Sequence, residues 1–259
     1  MNATLATQIG ELARRSIART MRQPAQIVPA LVFPLFLLAV NTGGLNNVTK
    51  LPGFPTSSYL TFALAITFMQ GAMFALMNAG TNLAADVETG FLNRLALTPL
   101  RGSALLTGML AGVLVLGFVQ AATFLLIGLT AGAHIAAGLG GVLVIFALSF
   151  LMTLGFGAIG SAAALRTGSG EAVQGLFPLF FVLLFLSSMS LPRPLIEQDW
   201  FRFIATYNPV SYLIEGVRSF IITGWDAEAL ALAFGLALAI VVVGLAAASA
   251  ALRTRLVRT

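Results

Sequence analysis

Apolar positions in this chain fall in long continuous runs rather than in alternation. Six runs of 18 or more mostly apolar residues lie at about 27–45, 59–84, 103–131, 135–165, 172–191 and 228–252. A bilayer's hydrocarbon core, about 30 Å thick, is crossed by about 20 apolar helical residues. Helices satisfy their own backbone groups in lipid, so each run predicts a membrane-spanning helix, with the longer ones tilted. The predicted fold class is an all-α polytopic membrane protein with six transmembrane helices. Pro29 and Pro34 interrupt the first run, where the helix is expected to break. Gly and Ala recur within the spans, as in "GFGAIGSAAA", where small side chains let helices approach closely.

Ahead of the first run the pattern changes. On a helical wheel Arg14, Arg15, Arg19 and Arg22 share one arc, and Leu5, Ile9, Leu12, Ala13 and Ile17 fill the opposite side. Such a helix lies in the membrane interface; a frayed tail is the alternative. The following apolar run is too long for a cleavable signal peptide, so this segment is expected to remain on the mature chain. A second charged segment, "ETGFLNRLALTPLR" at 88–101, separates the second and third runs. As a short helix it gathers Phe91, Leu92 and Leu95 on one side and turns Asn93 and Arg94 away. Gly90 permits a sharp entry, and Thr98-Pro99 ends the element, because the residue before a proline is pushed out of helical geometry. Its apolar side must rest on lipid or on a partner.

Composition strengthens the membrane reading. Hydrophobic residues make up 58% of the 259 residues and charged ones only 9%, against about a quarter charged in soluble domains. The basic excess, 14 against 9, points to orientation rather than nucleic acid. With both termini inside, ten of the 14 basic residues are cytoplasmic and four, Lys50, Arg193, Arg202 and Arg218, are outside. Trp200, Trp225, Tyr59, Tyr207 and Tyr212 then all fall on the outer side, as interfacial aromatics do.

Several chemistries are excluded. The chain has no cysteine and one histidine, His134, so no metal site is expected. Asp86 and Glu88, two apart on a loop, form no paired acidic motif for a magnesium-diphosphate. The only lysine, Lys50, lies in "NNVTKLPG", which lacks P-loop spacing. The span centres hold no ionisable residue, only Gln70, Asn78, Gln120 and scattered Ser and Thr, which leaves ion-coupled transport little to act through. The chain is not expected to be an enzyme.

Residues 191–225 are too long for a simple loop, and their composition predicts two short helices broken at Asn208-Pro209. Glu215 and Arg218, three apart, are placed to pair on one helix face. Phe177, Phe180, Phe181 and Phe185 crowd the fifth run, and Phe62, Phe68 and Phe74 mark the second. They read either as ordinary packing or, where they face a cleft, as a stacking surface for an apolar cargo.

The pattern Glu88-x-Gly90-x-Leu92-x-Arg94-Leu95-x-x-Thr98-Pro99-Leu100 closely resembles the cytoplasmic coupling helix of type-2 ABC exporter permeases, the family of daunorubicin-resistance-type permeases and of lipid and polysaccharide exporters. "YNPVSYLIEGVR" looks like that family's signature between the fifth and sixth spans, and the six-span count fits. The resemblance covers essentially the whole chain. One departure is Thr89, where many relatives carry a basic residue before the glycine.

The resemblance implies an amphipathic connecting helix over 1–23, with Arg14, Arg15, Arg19 and Arg22, and a transmembrane permease domain over 24–259. It implies a coupling element of Asp86, Glu88, Gly90, Phe91, Leu92, Arg94, Leu95, Thr98 and Pro99. Between spans five and six it implies a re-entrant outer hairpin acting as a gate, with Asn208, Pro209, Tyr212, Glu215 and Arg218. A candidate cargo path takes in Phe68, Phe74, Asn78, Phe177 and Phe181. The expected partners are two ATP-binding subunits, a second permease copy or paralogue, and membrane lipid, with no nucleic acid. No cofactor is expected on this chain, ATP and Mg2+ belonging to the partner ATPase. The expected location is the cell membrane, with both termini cytoplasmic, and the expected function is export of a hydrophobic or amphiphilic cargo, a drug-like natural product or lipid. Alternatives are a polysaccharide or glycolipid exporter permease, a self-sufficient channel or secondary carrier, and a membrane scaffold.

Overall fold

The computed structural model describes residues 4–96 and 102–258. Among them are eleven α-helices and no strand: α1 (Leu5–Met21), α2 (Pro24–Leu45), α3 (Tyr59–Glu88), α4 (Phe91–Ala96), α5 (Gly102–Thr130), α6 (Gly138–Thr167), α7 (Gly170–Gln174), α8 (Leu176–Phe185), α9 (Asp199–Tyr207), α10 (Pro209–Ile222) and α11 (Ala227–Arg258). Five of these, α2, α3, α5, α6 and α11, are long and apolar enough to cross a membrane. The chain is thus an all-helical, multi-pass membrane protein. Both ends of the described chain lie at one end of the bundle, with the close of α3 and the start of α5.

α3 is the axis of the bundle. Nearly its whole length is buried, against α2, α5, α6 and α10. In lipid, helices associate through packing and polar contacts, which rewards small residues at crossings. At Gly160 of α6 a Cβ would stand 2.0 Å from the carbonyl oxygen of Leu76, so only glycine lets α6 lie this close to α3. α6 in turn packs along α11.

α2 runs unbroken through Pro29 and Pro34, contrary to the expected break. A proline at position 34 cannot donate to the carbonyl of Ala30. That freed carbonyl accepts instead from Gln120 Nε2 of α5, at 3.0 Å. A neighbouring side chain thus replaces the missing bond, as the interior of a membrane protein requires.

The fifth predicted run is helical only over α7 and α8, and its helix ends at Phe185. At 1.5 Å per residue that length falls short of a bilayer core. Beyond it, the Ser187 hydroxyl donates to the Leu184 carbonyl and the Ser188 amide to Ser211 Oγ, while the Ser188 and Met189 carbonyls are taken by Arg218. These bonds replace helical ones. The segment nevertheless follows α3 along its length. Val173 meets Gly80, Phe177 meets Phe74, and the Ser190 carbonyl accepts from the Tyr59 hydroxyl.

α9 and α10 meet at a corner at the end opposite the termini. Asn208 makes the corner, its Oδ1 accepting from the Val210 amide to cap α10, with Pro209 at the first helical position. Its Nδ2 reaches the Leu183 carbonyl of α8 at 2.6 Å. α10 is largely buried between α3, α6 and α11, and its last carbonyls, of Phe220 and Ile221, accept from the amides of Ala137 and Ala136.

Candidate functional site

The charged residues singled out from the sequence gather at the terminal end of the bundle. Asp86 and Glu88 do not lie on a loop, since they belong to the last turns of α3. Gly90, at a left-handed φ of 67°, then turns the chain into α4. Thr98, Pro99 and Arg101 lie outside the described residues.

Asp86 is 5% exposed and serves two arginines at once. Arg15 of α1 approaches its two oxygens at 3.1 and 2.8 Å, and Arg19 reaches Oδ1 at 2.7 Å. A buried carboxylate needs such partners, and bidentate guanidinium bonds are the strong kind. Arg15 also lies over the Phe91 ring of α4, 3.6 Å from its centroid. One arginine therefore ties α1 to both α3 and α4. Arg14 and Arg22, by contrast, are exposed.

α1 is further seated on α5. Ser16 donates to the Met109 carbonyl at 2.6 Å and accepts from the Gly112 amide at 3.2 Å. A Cβ at Gly108 would come 2.4 Å from that of Leu12, and one at Gly112 would come 2.5 Å from Thr20 Oγ1. These two glycines, one turn apart, form the seat for α1, and sequence reasoning missed them. Their four-residue spacing was the available signal, but similar small-residue spacings recur throughout the spans.

On α4, Leu92 is buried, Phe91 and Leu95 are partly buried, and Arg94 is exposed. Glu88 is exposed and accepts from the Gly170 amide at 3.4 Å, which links the end of α3 to the first residue of α7.

At the opposite end Glu215 and Arg218 do not pair. Glu215 is held by Arg193, whose Nε lies 2.8 Å from Oε1 and whose Nη2 bonds Oε2, and by the Ser188 hydroxyl at 2.6 Å. Arg193 also lies over the Tyr212 ring, 4.2 Å from its centroid, and Tyr212 donates to the Thr206 carbonyl. Burial lowers the Arg193 pKa, but Glu215 and Tyr212 outweigh that and hold it above its ordinary value. Arg218, fully inside, gives its guanidinium to the carbonyls of Phe62, Ser188 and Met189 and stacks on the Phe62 ring. The i,i+3 spacing permitted pairing, but the unwound stretch after α8 presents carbonyls to Arg218, and Arg193 competes for Glu215. Tyr59, expected at the interface, is buried.

Of the aromatic residues, Phe74, Phe177 and Phe181 join Phe33 and Phe185 in one connected set of ring contacts between α2, α3 and α8, with centroids 4.6 to 6.1 Å apart. Phe68 is not part of it, packing edge-on against Phe124 of α5 in the core. Asn78, one turn from Phe74, is buried. Its Nδ2 donates to the Phe74 carbonyl at 2.9 Å, and its Oδ1 has no partner within the protein.

Fold and site together define a multi-pass helical membrane protein whose charged contacts sit at the two ends and whose interior carries aromatic and amide side chains. Among the described residues no cluster of His, Asp or Glu could hold a metal. The chain belongs to the ABC-2 type transporter family, whose model matches residues 7–222. It is 28% identical over 198 residues to the "Daunorubicin resistance ABC transporter permease protein DrrB1" of Streptomyces coeruleorubidus, covering 73% of this chain and 66% of that one. It is 26% identical over 209 residues to the "Putative transport permease ycf38" of Cyanophora paradoxa, covering 80% and 71%. The ycf38 protein of Pyropia yezoensis is 28% identical over 218 residues, covering 83% and 74%. Members of this family are typically the non-catalytic membrane subunits of ABC transporters.

Proposed function

We propose that this chain is the transmembrane subunit of an ATP-driven exporter, paired with a second permease copy or paralogue and with two separate ATP-binding subunits. The observation that carries the reading is the Asp86 clamp. α4 is short and displays Arg94, and it is joined through Phe91 and Arg15 to α1, through Gly90 to α3, and by way of α1 to α5. A load applied to α4 would therefore reach several spans together, as coupling to a moving ATPase demands. Asp86 is then an internal tie rather than a docking residue, and Arg94 and the exposed arginines of α1 form the docking rim.

Exposed Arg14, Arg22, Arg94, Arg166 and Arg253 all lie at the terminal end. At the other end Arg193 is paired with Glu215 and Arg218 is buried, which leaves Lys50 and Arg202, the latter paired with Asp199, as the exposed basic residues there. This asymmetry supports a cytoplasmic location for both termini in the cell membrane. The course of residues 170–190 along α3 supports a sixth crossing in which α7, α8 and the serine-rich stretch act together. Gly216 of α10 lies against Leu148, several turns inside the end of α6, which supports a re-entrant hairpin. The cargo is hydrophobic or amphiphilic, a drug-like natural product or lipid, and Phe74, Phe177 and Phe181 with Asn78 mark its path.

Isolation of the tagged protein from its native membranes tests this reading. Wild type should bring down a P-loop ATPase, and a Phe91→Asp, Arg94→Glu variant that remains folded should not. Absence of any ATPase with intact wild type would favour a self-sufficient channel or carrier.

A further inference from the structure

A groove runs between the α9–α10 corner and the first turns of α11. Its polar part, about 320 Å3, is lined by Arg193, Glu215, Asp226 and Glu228. Its apolar part, about 420 Å3, lies further along α11, against Tyr207, Pro209, Gly235 and Leu236. The two parts share Tyr212 and Leu232, and each is within the ~300–1,000 Å3 range of small-molecule sites.

We propose that this groove holds one zwitterionic, ammonium-headed phospholipid of the leaflet at that end, with its ammonium group at Asp226 and Glu228, its phosphate beside Arg193 and an acyl chain in the apolar part. Charge selects the head. Arg193 and Glu215 already satisfy each other, which leaves two exposed carboxylates at the mouth. Asp226 spends Oδ1 on the amides of Glu228 and Ala229 as the cap of α11, so its other oxygen is the one offered to an ammonium. A head group carrying phosphate alone meets net repulsion there.

The route of entry selects a membrane lipid over a soluble cation. The apolar part opens beside Leu232, 47% exposed, on α11, a helix that further along also turns Leu238 and Val242 outward, 49% and 65% exposed. Nothing lies within 4 Å of where a Cβ at Gly235 would stand, so a larger side chain there would occupy the apolar part without disturbing the helix. The proposal rests only on this chain being a membrane protein, and its test needs no ATPase partner.

The full-length protein, purified in detergent, is titrated with phosphatidylethanolamine or phosphatidylglycerol of identical acyl chains, or with dodecylamine, and bound molecules are counted by native mass spectrometry. Wild type should retain the ethanolamine lipid about fivefold better than the glycerol lipid, two exposed charge contacts being worth about that much, and better than dodecylamine. Asp226→Asn with Glu228→Gln, in which asparagine keeps the capping oxygen, should abolish the preference. Gly235→Leu should lower retention of both lipids. Unchanged thermal unfolding of each variant identifies these as groove effects. Equal retention of both lipids by wild type, a preference surviving charge removal, or dodecylamine binding as well as the phospholipid would each overturn the assignment.

Discussion

Asp86 and Arg15, 71 positions apart in sequence, meet in a two-bonded ion pair at the end of α3, with Arg19 on the same carboxylate. This contact turns an N-terminal helix that could lie anywhere on a membrane surface into a fixed part of the bundle. Asp86→Ala removes the partner of two partly buried guanidiniums. It should destabilise the protein by about 2 kcal/mol, the scale of hydrogen bonds to a buried charge, and expose α1 to protease. Thermal unfolding and limited proteolysis check this. An Asp86→Arg, Arg15→Asp exchange should recover part of the loss, which a purely steric role for Asp86 would not allow.

The seat of α1 on α5 makes a separate prediction. Gly112→Leu forces a side chain into Thr20 and the Ser16 backbone, and overpacking of this kind costs about 1–3 kcal/mol. The variant should show the protease-sensitive α1 of Asp86→Ala while Asp86 itself is unchanged. Gly235→Leu, where there is open space, should leave stability unaltered.

At the other end, Glu215 and Arg218 should respond differently. Arg218→Met leaves the carbonyls of Ser188 and Met189, outside any helix, without their donor in a buried setting, so yield and thermal stability should fall sharply, each orphaned group costing about 1–3 kcal/mol. Glu215→Gln keeps an oxygen for Ser188 and Arg193 and should be milder, assembling with the ATPase while transport falls. Size-exclusion profiles and ATPase co-purification separate the two outcomes.

The sequence made the helices legible because crossing a bilayer imposes a length and composition that hydropathy reads directly. It made α4 legible through a motif. Contacts that depend on which helix faces which were not legible. Asp86 read as a loop residue because its partners lie in a helix some seventy positions earlier. The continuity of α2 was hidden because the donor replacing the bond lost at Pro34 is Gln120, in another span. Glu215 and Arg218 satisfied a spacing rule, but tertiary partners offered each a better contact. The fifth run read as one helix because composition does not register that Ser188 and Met189 must turn their carbonyls toward Arg218.

The ring set between α2, α3 and α8 should affect cargo before stability. Phe181→Ala removes contacts to Phe33, Phe177 and Phe185 at a half-buried position, for about 0.5–1.5 kcal/mol of folding free energy per ring pair beyond the lost burial. Transport by the reconstituted complex should drop several-fold more than that loss explains. Phe68→Ala, in the core against Phe124, should chiefly lower the unfolding temperature.

The most direct test uses the absence of cysteine from the chain. A single cysteine placed at Arg94 or at Lys50 carries a photo-crosslinker, and the adducts formed in native membranes are identified by mass spectrometry. Position 94 should capture a P-loop ATPase and position 50 should capture none. Capture from position 50 alone, or from neither position in a fully expressed protein, would contradict the docking role of α4.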